Sequence, residues 1–301
     1  MQAIVMRETG DPDVLRLEEI ERPEPADGEV LIRVLAASVN PIDWKQRRGP
    51  SDNELPAVLG IDVSGTVEVS LSDDFAEGDE VFGRAESGAY AEFATAPQAK
   101  IARKPDGVSH EQAAAIPVAG LTAWQALFER GGLETGQTAL IAGAAGGVGH
   151  FAVQFAKHAG ARAIGTGSSR NRDFVLGLGA DEYVDYTQQD VATAVSGVDV
   201  AFDTVGGSTT ETLVPTLREG GILVTIAAAP PEEAARERGA RAELLVMNAG
   251  PEVLSRVAEL VAAGDVRVEL SEVMPLTEVQ RAHELSESGH VRGKIVLTVG
   301  G

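Results

Sequence analysis

The chain has 301 residues and no cysteine, which excludes disulfides, thiolate metal sites and cysteine nucleophiles. Acidic residues number 46 against 25 basic ones, and the formal charge of −21 opposes binding to nucleic acid or to an anionic membrane surface. No apolar run reaches the ~18 residues of a membrane span, the first residues carry no signal-peptide pattern, and a cytoplasmic protein of two full-sized domains is expected.

Residues 1 to 112 read as β-rich. Strand character appears at 3–6, 15–20, 30–36, 63–69, 80–82 and 89–94. Turns are signalled at Asp27-Gly28, Gly49-Pro50, Glu77-Gly78-Asp79 and Ser87-Gly88. Short strands with regular turns predict a small barrel-like domain. The period then changes to helical at 109–115 and 121–130. In the first of these helices, Ser109 is a candidate N-cap with Gln112 three residues on.

From 138 onward strand and helix alternate. Strands are expected at 139–142, 162–166, 183–185, 199–202 and 222–226, with helices near 148–159, 171–178, 188–194 and 208–218. Short loops between them mean a parallel, doubly wound sheet. The first strand–helix junction reads Ala142-Gly-Ala-Ala-Gly-Gly-Val-Gly149. Small residues there let a backbone approach a diphosphate, and the helix N-terminus presents free N–H groups to it. Ala145, Gly146, Gly147 and Val148 are the candidate contacts. The spacing is Ala144-x-Gly146-x-x-Gly149, with alanine at the first glycine of the usual fingerprint.

The second strand ends Ile164-Gly-Thr-Gly-Ser-Ser-Arg-Asn-Arg172, with no carboxylate before Asp173. A cofactor ribose 2′-OH is usually held by an acid at this place. Two serines and two arginines suit a 2′-phosphate instead, so NADPH is expected; the alternative is a solvated loop with capping serines. After Pro230-Pro231 come a charged helix, an edge strand at 242–247, a helix at 252–263, strands at 266–270 and 294–299, and a helix at 276–287 between them. This tail does not extend the repeat.

Eight segments carry a family likeness: Ala37-Ser-Val-Asn-Pro-Ile-Asp-Trp-Lys-Gln-Arg-Arg-Gly49, Gly60-Ile-Asp-Val-Ser-Gly-Thr-Val67, Gly78-Asp-Glu-Val-Phe-Gly83, Gly88-Ala-Tyr-Ala-Glu-Phe93, Gly120-Leu-Thr-Ala-Trp124, Ala144-Ala-Gly-Gly-Val-Gly149, Leu178-Gly-Ala-Asp181 and Gly293-Lys-Ile-Val296. Together they resemble the medium-chain dehydrogenase/reductase superfamily, in its zinc-free quinone oxidoreductase and enone reductase branch. The resemblance covers nearly the whole chain. It implies an α/β protein: a GroES-like β-barrel substrate domain (1–112), a Rossmann NADPH-binding domain (113–263) and a C-terminal return to the first domain (264–301).

The zinc enzymes of the superfamily use two cysteines and a Gly-His-Glu segment. The corresponding places here are Asn40, Gly60-Ile61-Asp62 and the region of Ala119, and the cysteine-rich structural zinc lobe is missing. A metal-free mechanism follows, since a catalytic zinc needs about three protein ligands. The five histidines show no metal-binding spacing and read as surface or packing residues.

By family position, Ser168, Arg172 and Tyr186 contact the 2′-phosphate, with Arg170 a further candidate. Thr122 contacts the nicotinamide end. Lys45 is the candidate cation for the carbonyl oxygen of an enone, where negative charge grows during reduction. Asn40 helps orient nicotinamide or substrate, or else forms the turn before Pro41. Trp44 and Tyr90 either wall the pocket or pack the core. No proton donor for the α-carbon is readable. The resemblance implies reduction of quinones or activated C=C bonds by a homodimer paired through the 241–247 edge. Alternatives are a pathway-specific reductase of a secondary metabolite and a non-catalytic NADPH-binding sensor.

Overall fold

The computed structural model describes residues 1–49 and 54–300, so Pro50 of the expected Gly49-Pro50 turn lies outside the described residues. Two compact units emerge. One comprises Met1–Val118, Gly250–Gly264 and Val268–Gly301; the other comprises Ala119–Ala249 and Asp265–Arg267. The division differs from the expected boundaries at 112/113 and 263/264. The chain changes unit within the helix Pro117–Trp124, and the helix Pro251–Ala262 belongs to the first unit, where it packs on the strand Ile101–Arg103.

The first unit is built on a sheet of order Leu270–Pro275, Lys294–Thr298, Glu29–Val39, Asp62–Ser70, Glu80–Arg84 and Ile101–Arg103. Phe93–Pro97 also pairs with Glu29–Val39. That long strand is the organiser. Its eleven residues are mostly buried, and shifts of register at Leu31/Ile32 and Val34/Ala36 let it serve several partners. Val30, Ile32, Val34, Val63, Val67, Val81, Ile101, Ile295 and Leu297 form the core between its faces. A smaller sheet joins Leu15–Glu19, Gln2–Met6 and Ala57–Val58. The last strand pairs antiparallel with Glu29–Val39, Ile295 opposite Val39, which brings Lys294 alongside Asn40.

The second unit holds a six-stranded sheet of order Glu182–Asp185, Arg162–Gly167, Thr138–Ala142, Val198–Asp203, Leu217–Thr225 and Arg241–Leu244, parallel throughout. The order reverses between Thr138–Ala142 and Val198–Asp203, and ligands of such sheets sit at the carboxyl ends of the strands beside that point. The helix Gly149–His158 follows the first strand and is buried from Gly149 to Ala156, because apolar neighbours surround it. Trp124 stacks edge-on against Phe128 and Phe155, at 4.6 and 5.6 Å between ring centres.

Several expected boundaries move for local reasons. The strand expected at 89–94 is Phe93–Pro97. Ala89 and Tyr90 give their N–H groups to the Gly60 and Leu59 carbonyls, the Tyr90 carbonyl accepts from the Ile4 N–H, and Ala91 forms an isolated bridge with Ala3, so the segment crosses between strands rather than forming one. The helix expected at 208–218 stops at Leu213, two residues before Pro215, and the next strand starts at Leu217 rather than 222. The strand expected at 266–270 is Leu270–Pro275, and that at 242–247 ends at Leu244. The helix expected to open at 121 opens at Pro117 and ends in a π-helical turn, Gln125–Arg130. Ser109 caps as expected: its hydroxyl accepts from the Gln112 N–H while the Gln112 side chain accepts from the Ser109 N–H.

Candidate active site

The candidate dinucleotide cradle of the second unit begins where Thr138–Ala142 ends. Gly143 takes φ +73°, a conformation that favours glycine, and a Cβ there would lie 2.4 Å from Thr204 Oγ1. The tight turn therefore rests on Gly143, one residue before the alanine that stands at the first fingerprint position. Thr204 Oγ1 donates to the Ala142 carbonyl at 2.8 Å and ties the ends of the first and fourth strands together. A Cβ on Gly149 would lie 2.2 Å from the Gly143 carbonyl oxygen, so only glycine lets the helix start this close to the strand. At Gly146 a Cβ would meet only that same oxygen, at 3.3 Å. Ala145 is buried, while Gly146, Gly147 and Val148 remain half-buried. The result is a short open cradle at a helix N-terminus, the arrangement that receives a diphosphate.

The facing turn, 204–207, was not legible as a site. Its anchor is Asp203, fully buried, whose carboxylate accepts from the Val205 and Gly206 N–H groups at 2.9 and 3.0 Å and from the Thr210 and Thr225 hydroxyls at 2.5 and 3.1 Å. An aspartate followed by Gly206-Gly207 at a strand end is the signal that could have found it.

At the end of the second strand, Ser168 is half-buried, and its carbonyl accepts from the Tyr183 hydroxyl at 2.7 Å. Arg172 is exposed and reaches the Tyr183 carbonyl at 3.5 Å. Tyr186 is exposed. Asp185 stands nearby, but the Ser169 and Thr187 hydroxyls engage its carboxylate and hold it below the usual carboxylate range. Thr122 is buried on the helix Pro117–Trp124.

A separate candidate cluster lies in the first unit and centres on the helix Pro41–Arg48. Proline at its first position fits a helix start, and the Asp43 carboxylate accepts from the Asn40 N–H at 2.7 Å. Lys45 on this helix is exposed, with its ammonium 5.7 Å from the Trp44 ring centre, and it forms no ion pair among the described residues. Asn40, by contrast, is 2 % exposed. Its Nδ2 donates to Asp62 Oδ2 at 2.8 Å, and its Oδ1 accepts from Lys294 Nζ at 2.5 Å. Tyr90 is a core residue, fully buried, with its hydroxyl on Asp43 Oδ2 at 2.9 Å. Burial pushes the Asp43 carboxyl up to about 7, against the opposing hydrogen bonds from Asn40 and Tyr90. Asp43 Oδ1 has no partner among the described residues.

The donor set does not fit zinc. Asp62 accepts from Ser38 Oγ at 2.6 Å, Asn40 Nδ2 and the Val118 N–H at 2.9 Å, and Lys294 lies 3.5 Å away. Its lone pairs are committed to protein donors and its charge is balanced by an ammonium. Ile61 and Ala119 offer no ligand atom. The histidines stand apart: His110 beside Ser64, His150 by the Gly146 carbonyl, His283 against Arg47 and His158 near Asp265. Among the described residues no three His, Asp or Glu side chains gather as a metal site.

Residues 26–106 match the Alcohol dehydrogenase GroES-like domain family, and residues 178–297 match the Zinc-binding dehydrogenase family. The NADPH-dependent alkenal/one oxidoreductase of Arabidopsis thaliana chloroplasts is 33% identical over 318 residues, spanning 99% of this chain and 79% of that protein. The quinone oxidoreductase from Coxiella burnetii superposes with a TM-score of 0.93 at 38% identity, covering 100% of this chain and 99% of that one. The Escherichia coli quinone oxidoreductase complexed with NADPH superposes with a TM-score of 0.88 at 28% identity, covering 99% and 100%.

Proposed function

Because the chain belongs to the medium-chain dehydrogenase/reductase superfamily, we propose that it is an NADPH-dependent reductase of quinones or of the activated C=C bonds of α,β-unsaturated carbonyls. The observation that carries this reading is the open glycine cradle at the point where the parallel sheet reverses its strand order. The relatives named as NADPH-dependent alkenal and quinone oxidoreductases support it. NADPH, when bound, supplies the hydride.

The chain's residues then have distinct tasks. Ala145, Gly147 and Val148 bind the diphosphate with backbone N–H groups, while Gly146, whose own N–H is given to the Gly143 carbonyl at 2.9 Å, lets the diphosphate come close to the backbone. Ser168, Arg172 and Tyr186 hold the 2′-phosphate with a hydroxyl, a guanidinium and a phenol, donors of the strength a dianion requires. Thr122 contacts the nicotinamide end. Lys45, whose ammonium forms no ion pair among the described residues, offers a cation for the substrate oxygen on which negative charge grows, so no metal is needed as Lewis acid. Asn40 acts indirectly: with both ends of its amide engaged inside the protein, it sets the start of the helix that bears Lys45. A charge of −21 opposes binding to nucleic acid, and the substrate in this reading is a small molecule.

Lys45→Met tests the catalytic assignment. Because the ammonium is exposed, its field is screened, and its loss is expected to lower kcat about tenfold rather than the hundredfold typical of a dry oxyanion site. Affinity for NADPH should not change. An unchanged kcat with both acceptors would remove Lys45 from the mechanism.

Among the described residues the edge strand Arg241–Leu244 has a partner on one side only, and Leu244 and Val246 beside it are 50% and 76% exposed. Pairing with a second copy would cover this apolar edge. Light scattering at micromolar concentration is expected to return twice the 31.4 kDa chain mass; a single-chain mass would contradict the dimer.

A further inference from the structure

A lysine is rarely buried, since the charge is costly out of water unless it is paired and hydrogen-bonded. Lys294 is 3 % exposed. It opens the last strand of the chain, 254 residues beyond Asn40, and the antiparallel register of that strand delivers it to the Asn40 side chain. Its ammonium donates to Asn40 Oδ1 at 2.5 Å and to the Val39 carbonyl at 3.3 Å, and faces Asp62 Oδ2 at 3.5 Å. Asp62 in turn gathers Ser38 Oγ, Asn40 Nδ2 and the Val118 N–H.

Two further segments thus meet on one ion pair. Ser38 is the last residue but one of the central strand, and the first of these segments runs on from it to Asn40. Asn40 starts the helix Pro41–Arg48, which carries Lys45. Val118 starts the helix Pro117–Trp124, which carries Thr122. A network built only for stability gains little from charge here, because a buried pair is often no better than apolar residues of the same shape. What an ion pair adds is direction. Asn40 has an amide that can present either end, and the cation on its oxygen together with the carboxylate on its nitrogen permits one orientation only.

We propose that Lys294 and Asp62 form a positioning pair for the reduction, holding the start of the helix that places Lys45. The inference rests on the reductase reading above. Neither residue touches substrate; each acts through Asn40 and the helix it starts. Desolvation lowers the Lys294 pKa while Asp62 and Asp43 oppose the shift, consistent with an ammonium that depends on its partners.

The test uses the full chain with Lys294→Met, Asp62→Asn and the double variant, each characterised by thermal melting, NADPH affinity, kcat and amide hydrogen exchange. Lys294→Met leaves Asp62 uncompensated and is expected to melt lower. The double variant removes both charges while keeping an acceptor at position 62, and is expected to recover most of that loss. If the pair positions the site, the folded double variant keeps NADPH affinity within about twofold, yet its kcat stays at least about tenfold down, the scale of a misplaced catalytic group. Exchange should rise in residues 41–48 and not in 149–158. Recovery of kcat together with melting temperature, or unchanged exchange in 41–48, would overturn the proposal. Failure of the unaltered protein to oxidise NADPH would instead contradict the reductase reading, and the exchange pattern would still decide whether the pair anchors the helix.

Discussion

Gly149→Val is expected to cost both fold and cofactor, whereas Gly146→Ala is expected to keep the fold and weaken NADPH binding. The two glycines lie three residues apart in one turn but meet different surroundings. A Cβ at Gly149 would stand 2.2 Å from the Gly143 carbonyl oxygen, a backbone atom that cannot swing aside. The helix Gly149–His158 would have to lift off the strand Thr138–Ala142, and the buried side chains Phe151, Ala152 and Phe155 would lose their packing. At Gly146 the only contact is at 3.3 Å, which a shift of a few tenths of an ångström relieves. The methyl group would occupy the space through which the backbone approaches a diphosphate. Gly149→Val should therefore melt earlier and bind NADPH at least about 100-fold more weakly, about 2.7 kcal/mol. Gly146→Ala should melt close to the unaltered protein and bind about tenfold more weakly. Calorimetry and a cofactor titration on both variants decide this. Full NADPH affinity in Gly146→Ala would mean that the cradle is a packing turn without a ligand.

The second large effect is a pH dependence of stability. Asp43 is fully buried and its carboxyl is raised to about 7, chiefly by desolvation. In the unfolded chain it titrates near 3.9. Between about pH 4 and about pH 7 the folded state therefore holds a proton that the unfolded state has released. Stability must fall as pH rises through that window, and it levels off above the folded value. Each tenfold difference in proton affinity between the two states is worth about 1.4 kcal/mol, so the whole window sets a scale of about 2–4 kcal/mol. Asp43→Asn keeps an acceptor for the Asn40 N–H and the Tyr90 hydroxyl but cannot ionise. The difference in unfolding free energy between Asp43→Asn and the unaltered protein should move in favour of the variant from pH 5 to pH 8. A difference that is flat with pH would show that Asp43 is ionised throughout.

What the sequence revealed followed the range of the interactions concerned. The Ser109–Gln112 cap and the strand–turn–helix around Gly146 are contacts a few residues apart, and the sequence order carries them directly. The alternation after 138 fixed the parallel sheet because each βα unit is local. Leu270–Pro275 was misplaced because four of its six residues are exposed, so no alternation marks it. Tyr90 was mislocated in a strand because its burial comes from Gly60 and Asp43, 30 and 47 positions away. The candidate site divided along the same line. The glycine turn and the serine–arginine strand end were visible as motifs. Lys294 appeared only as a letter in Gly-Lys-Ile-Val, and Asp62 only as a place without a zinc ligand; their partnership needs the closing strand of the sheet. Asn40 was expected to orient nicotinamide or substrate or to form the turn before Pro41; that its amide is engaged by Asp62 and Lys294 needed the folded chain.

The most direct test of the reductase assignment is a titration of the purified protein with NADPH and with NADH, followed by loss of reduced-nicotinamide absorbance on adding a quinone or an α,β-unsaturated ketone. The expected result is an NADPH preference of about tenfold or more, about 1.4 kcal/mol, with turnover on at least one acceptor. Equal affinity for the two nucleotides would contradict the Ser168–Arg172 assignment, and absence of nucleotide binding would contradict the central claim.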